Sequence, residues 1–169
     1  MKYLKQFESF ENGERLVFEE DLILRLEDST KEEIFGRIIP GNLSKWNGLF
    51  PLLPNKLHVT LTSSKAFKDV LKSSLPTDIP APVVQLGEVT IANREATESA
   101  PAKTSFVVDV DNQEDFKKYV DQIYESMGLQ NPEPDRYFHI IIANNVENKK
   151  FSNTADSVGS IDDITKNDF

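Results

Sequence analysis

Cysteine is absent from this 169-residue chain, and histidine, methionine and tryptophan are scarce, at two, two and one. Without thiols there is no disulfide, no thiolate nucleophile and no cysteine-based metal site, and a reducing cytoplasm is the default compartment. No apolar run approaches the roughly 20 residues of a membrane helix. The N-terminus also lacks the basic-then-apolar pattern of a signal peptide. Positive charge is in short supply too: 19 Lys and Arg against 28 Asp and Glu give a net charge of −9. That balance argues against sequence-independent binding to duplex nucleic acid, which needs a basic surface. The excess is uneven. Residues 1–35 carry ten acidic and five basic side chains and residues 152–169 carry four and one, which leaves the middle close to neutral. A small phosphorylated ligand can approach that middle without opposing a strong negative field.

What is present reads as one domain over 1–169. "KYLKQFESF" spaces Tyr3, Leu4, Phe7 and Phe10 as an amphipathic helix within residues 1–14. "DLILRLED" alternates Leu22, Leu24 and Leu26 as a strand, and "STKEEIFGRII" sets Ser29 three residues before Glu32, a capping box opening a helix. An irregular stretch holding Trp46 leads to "LHVTLT", followed by a helix near 64–73. "VVQLGEVTI" shifts its apolar phase at Gly87, as a β-bulge requires. "SFVVDV" is a strand, and the polar "ANREATESAPAKT" before it is a candidate mobile loop. Residues 114–127 form the clearest helix, with Phe116, Tyr119, Val120, Ile123, Tyr124 and Met127 on one stripe, Asp111 or Asn112 as cap and Gly128 as stop. "FHIII" is a further strand, and residues 146–169 form a polar tail. This order predicts an α+β domain with mainly antiparallel pairing.

The two histidines occupy matching places. His58 opens "HVTLT" and His139 opens "HIIIAN", 81 positions apart. Alternate strand residues share a face. His58 is therefore expected beside Thr60, Thr62 and Ser64, opposite Val59 and Leu61. His139 is expected beside Ile141, Ala143 and Asn145, opposite Phe138, Ile140 and Ile142. Alone, a strand histidine is ordinarily a side chain bonded to a neighbour. As a pair, two imidazoles suit acid–base work on a phosphodiester: one ring takes a proton from the nucleophile and the other gives one to the leaving oxygen. Thr60 can donate a hydrogen bond to a phosphate oxygen. This chemistry needs no metal or other cofactor, and neither histidine spacing nor clustered carboxylates resemble a metal site.

"LHVTLT", "LGEVTI", "SFVVDV" with its helix, Gly128, a proline-containing loop and "YFHIII", in this order from Leu57 to Asn144, resemble the two-histidine (2H) phosphoesterase superfamily, which includes 2′-5′ RNA ligase-like proteins and cyclic phosphodiesterases. The resemblance implies two pseudo-symmetric lobes with flanking helices around a central cleft, with His58 and His139 as general base and acid. It also implies a substrate of RNA type, a 2′,3′-cyclic phosphate or a small cyclic or 2′-5′ oligonucleotide. One position departs from the family's histidine–any–threonine/serine motif: Ile141 stands where a hydroxyl belongs. The phosphate would then be held by Thr60 with a backbone amide, Thr62, Asn145 or a cation. Arg136, Lys56 and Lys103 are the candidate cations, and Tyr137 is a candidate platform for a base; for each, an ordinary surface or packing role is the competing reading. Ser157 and Gly159 in the tail offer a candidate anion-binding turn.

Ile141 also favours an alternative, a nucleotide-binding module with lost or weak catalysis. A second alternative is a phage anti-defence enzyme acting on cyclic oligonucleotide signals in the host cytoplasm, since the N-terminus resembles those of proteins of large tailed phages. A third is an interaction protein that docks through its N-terminal helix and acidic tail. The expected partners are a small nucleotide or RNA end, with no duplex nucleic acid and no membrane, and the sequence leaves the oligomeric state open.

Overall fold

The computed structural model describes residues 15–19, 21–42, 50–63, 75–76, 78–98 and 103–144. The expected N-terminal helix, Trp46, the helix near 64–73, Asn145 and the polar tail with Ser157 and Gly159 lie outside the described residues. Within them the chain is α+β, and every strand pair with a defined register is antiparallel. The chain divides into two compact units.

The first unit gathers the described residues up to Arg25, His58–Gln85 and Val110–Phe138. Strand β1 (Leu16–Glu19) forms a hairpin with β2 (Asp21–Arg25), and β2 pairs with β4 (His58–Thr62). β1 has no counterpart in the periodicity analysis, because four residues between charged neighbours give too little pattern to read. β2 departs from simple alternation: Leu22, Ile23 and Leu24 are all buried, as in a strand covered on both faces.

Helix α2 (Gln113–Ser126) buries Phe116, Tyr119, Val120, Ile123 and Tyr124 of the stripe that the sequence spacing predicts, while Met127 is the half-buried C-cap beyond it. Asn112 is its N-cap by position, yet its side chain makes no capping bond. The carboxamide instead reaches the preceding segment, accepting from the Gln85 amide at 2.9 Å and donating to the Val83 carbonyl at 2.8 Å. At the other end Gly128 takes φ 72°. That left-handed turn lets the Leu129 amide reach the Tyr124 carbonyl at 2.9 Å, closing the helix as only glycine does without strain.

The second unit gathers Leu26–Leu57, Leu86–Asp109 and the described residues from His139. Its helix α1 (Asp28–Glu33) starts one residue before Ser29, with Glu27 as N-cap and no side-chain capping bond, so the expected capping box does not form. Winding continues through a π-helical turn at Ile34–Ile38 and ends at Ile39–Gly41. The wide turn ends two residues before Pro40, which has no N–H to give and whose ring crowds the carbonyl four residues back. Ile34, Ile38 and Ile39 are buried. The short strand β3 (Phe50–Pro51) pairs with β7 (His139–Asn144), and a 3-10 turn over Pro54–Lys56 delivers the chain to Leu57.

β5 (Leu86–Arg94) lies beside β6 (Lys103–Val110), and β6 pairs with β7. Both strands run further than the sequence suggests, since part of the expected loop is strand. Thr104 Oγ1 donates across them to Asn93 Oδ1 at 2.9 Å, a bond that lets polar residues continue the pairing. In chain order the described elements read strand, strand, helix, strand, strand as far as β4, and strand, strand, helix, strand after it. Helix α1 belongs to the compact unit that holds β3, β5, β6 and β7, and α2 to the one that holds β1, β2 and β4.

In the first unit, the Thr62 hydroxyl and the Tyr124 phenol are hydrogen-bonded at 2.9 Å and both residues are buried. Removing one partner strands the other in the interior. Thr62→Val or Tyr124→Phe alone is therefore expected to lower unfolding free energy by about 1–3 kcal/mol, and the double variant by less than the sum. A double-mutant cycle in urea measures this. Burial pushes the Tyr124 phenol up to about 12, with the Glu133 carboxylate adding to the rise and the Thr62 bond partly offsetting it; burial does the same for Tyr119, partly offset by Arg15. Phenols held neutral in the fold but ionising near the ordinary value of 10.0 in the unfolded chain contribute stability below pH 10 that is lost as pH rises toward 12. Tyr124→Phe is expected to flatten that alkaline loss.

Candidate functional site

β4 and β7 carry the two histidines at their first positions, and backbone pairing explains their placement. In the first unit β2 and β4 pair as Arg25 with His58, Leu24 with Val59 and Ile23 with Thr60. The register then slips, so that Leu22 faces Thr62 and Leu61 is the unopposed residue of a bulge. In the second unit β6 and β7 pair as Asp109 with His139, Val108 with Ile140 and Val107 with Ile141. There too the register slips, with Phe106 facing Ala143 and Ile142 unopposed.

The two strands therefore bulge at the same place, the fourth residue counted from the histidine. The match continues outward. Just before each histidine a backbone bond closes the ladder, from the Leu26 amide to the Leu57 carbonyl and from the Val110 amide to the Phe138 carbonyl, at 3.3 and 3.4 Å. Each histidine thus sits at a non-hydrogen-bonded position next to that pair, where facing Cα atoms approach to about 4.5 Å and side chains are closest.

The bulge corrects the alternation read from the sequence. Val59 and Leu61 are buried as expected, but so is Thr62, which the extra residue turns inward onto Tyr124. Its hydroxyl is committed to the interior and is not on the polar face with His58, so Thr62 is not placed to bind substrate. In β7 the same slip buries Ala143 beside Ile140 and Ile142. His58, Thr60, His139 and Ile141 remain half-buried.

Of the other candidates, Arg136 is brought to β4 and held there. Its Nε donates to the Thr60 carbonyl at 3.1 Å and its Nη1 to Glu133 Oε1 at 3.0 Å. Glu133 also accepts from the Ser63 amide and the Ser63 hydroxyl, both at 2.7 Å. The "NPEPDRY" loop is thus tied to the end of β4 by a carboxylate that clamps Ser63 and orients Arg136. Neither Glu133 nor Ser63 stands out in the sequence. The signal is faint, because a loop glutamate and a strand-end serine 70 residues apart give no pattern.

Burial opposes ionisation of Glu133. The Ser63 hydroxyl and amide, followed by the Arg136 guanidinium, outweigh it and hold the carboxyl below its usual range. Tyr137 is 56% exposed, with its neighbour Phe138 buried against the Phe116 ring at 5.7 Å between centroids. Lys56 is half-buried in the 3-10 turn. Gln113, at the start of α2, grips the residue before His139. Its Nε2 donates to the Val110 and Phe138 carbonyls at 2.6 and 2.7 Å, and its Oε1 accepts from the Phe138 amide at 2.9 Å. Among the described residues no three His, Asp or Glu side chains gather as a metal site, and no helix is long and apolar enough to cross a membrane.

Glu133→Gln is expected to destabilise the first unit at neutral pH by about 1–3 kcal/mol, because it weakens charge-assisted bonds to Ser63 and Arg136. A carboxyl whose folded value is lowered contributes stability that is present above its unfolded value and lost as pH falls through the folded one. The gap between wild type and variant should therefore close in acid, as followed by chemical denaturation at pH 7 and below about pH 4.

Compared with protein-family models, with curated proteins and with solved structures, the chain finds no match in any of the three.

Proposed function

We propose that the chain is a metal-independent phosphodiesterase of the two-histidine type, acting on an RNA-type 2′,3′-cyclic phosphate or a small cyclic or 2′-5′ oligonucleotide. The observation that carries this reading is the matched setting of the two histidines: same strand position, same facing register, same bulge three residues on. Chance core histidines have no reason to share all three. In this reading one imidazole takes a proton from water as its oxygen attacks phosphorus. The bond to the ribose oxygen breaks, and the other imidazolium protonates that oxygen. Thr60 donates to a non-bridging oxygen, and Arg136, oriented by Glu133, supplies positive charge. The pseudo-symmetric lobes and the shared cleft of the two-histidine family belong to the same proposal.

Ile141 supports a second reading, a nucleotide-binding module of weak catalysis. It occupies the place in β7 that Thr60 occupies in β4, facing Val107 as Thr60 faces Ile23, with no hydroxyl to give.

A panel of 2′,3′-cyclic nucleotides, cyclic oligonucleotides and 2′-5′ oligoadenylates, assayed with chelator present and resolved by chromatography, separates the two. The enzyme reading expects turnover that falls by roughly 10² or more in His58→Ala and in His139→Ala. It also expects Ile141→Thr to raise kcat, by up to about 10² where the restored hydroxyl stabilises the transition state. Binding without turnover, unchanged in both alanine variants, supports the module instead.

A further inference from the structure

In the second unit β5 is an edge strand: β6 pairs with one side of it, and among the described residues no strand lies on the other. An edge presents a row of unpaired N–H and C=O groups, which proteins ordinarily blunt with short strands, proline or charge. β1, the edge strand of the first unit, is four residues long. β5 is nine residues long, has no proline, and carries no charge from Val89 to Asn93. Its later part also stands clear of the core. Thr90, Ile91, Ala92 and Asn93 are all exposed, so both faces are open, and Ile91 is 49% exposed. Valine, threonine and isoleucine favour strands, so this edge is suited to accept another.

The charges that bracket this segment identify the partner strand. Glu88 and Arg94 are the only charged residues of β5, three places to either side of Ile91. When two copies of β5 run antiparallel about a twofold axis at Ile91, Glu88 of each copy faces Arg94 of the other. Thr90 and Ala92 face each other between those pairs. On the opposite face Ile91 meets Ile91, flanked by Val89 against Asn93. An axis at Thr90 or at Ala92 sets both charges against uncharged residues. We propose that β5 is a self-pairing edge: a second copy of this chain adds its own β5 antiparallel, in the register centred on Ile91, to form a sheet continuous across a twofold dimer.

Only two strands meet in this contact, so the dimer is expected to be weak and to appear with rising concentration. Sedimentation equilibrium of the full chain is expected to show monomer and dimer in exchange. Glu88→Arg and Arg94→Glu each oppose like charges in both symmetry-related pairs, and each is expected to weaken dimerisation about tenfold or more. An equal mixture of the two variants restores opposite charges and is expected to recover the dimer, which also requires that both are folded. Ile91→Lys, which sets two like charges face to face on the axis, is expected to abolish it. Because the chain has no cysteine, a single introduced thiol reads the register directly. Facing strand residues have Cα atoms about 4.5–5.5 Å apart, within the span of a disulfide. Under mild oxidation Ile91→Cys is expected to give a disulfide-linked dimer. Glu88→Cys, whose two copies would lie about 20 Å apart along the strands, is expected to give none. A chain that stays monomeric at its highest soluble concentration overturns the proposal, as does a dimer that tolerates the charge reversals and Ile91→Lys. Equal cross-linking at positions 88 and 91 also overturns it.

Discussion

Everything proposed for this chain depends on backbone ladder register. A β-strand shows its side chains to alternate faces, so a single extra residue reverses the facing of every later position. In β4 and in β7 that extra residue comes after three regular positions. The histidine and the residue two beyond it stay on the half-buried face. The fourth and fifth residues both turn inward and anchor the strand in its core. The bulge thus leaves a short half-buried edge at the start of each strand and a buried end behind it. Histidine at the first position, next to the last hydrogen-bonded pair, lies where cross-strand neighbours are closest.

Much of this is legible in the sequence. The strands around both histidines, the stripe of α2 and its glycine stop come from periodicity and from one residue's conformational freedom. The rest is hidden for identifiable reasons. Thr62 reads as a polar-face residue because alternation is the only rule that a five-residue strand offers. A bulge at Leu61 leaves no trace in composition, since leucine suits either phase. Ser29 and Glu32 have capping-box spacing, but Asp28 already extends the winding by one residue and leaves Ser29 inside the helix. β1 is too short to carry a pattern. The Glu133 clamp joins residues far apart in the chain, which no local rule detects.

The electrostatics are local rather than global. A net charge of −9 would repel a polyanion, yet the groups gathered near the strand openings include guanidinium as well as carboxylate. Arg136 is turned to β4 by Glu133 and the Thr60 carbonyl, and Arg25 faces His58. Under the proposed function such placement serves one small phosphate rather than a long backbone, because a few oriented donors hold a compact anion while the surrounding field disfavours an extended one. Under the proposed function Ile141 is the weak point, since a missing donor lowers transition-state stabilisation without altering the strand that carries it.

The central claim is that both imidazoles engage the same phosphate, and ligand titration followed at the two histidine rings tests it most directly. Adding a slowly reacting phosphorothioate analogue of a 2′,3′-cyclic nucleotide is predicted to move the ring signals of His58 and His139 along one saturation curve, with the same Kd. Movement of one ring alone, or of each at a different affinity, contradicts the account.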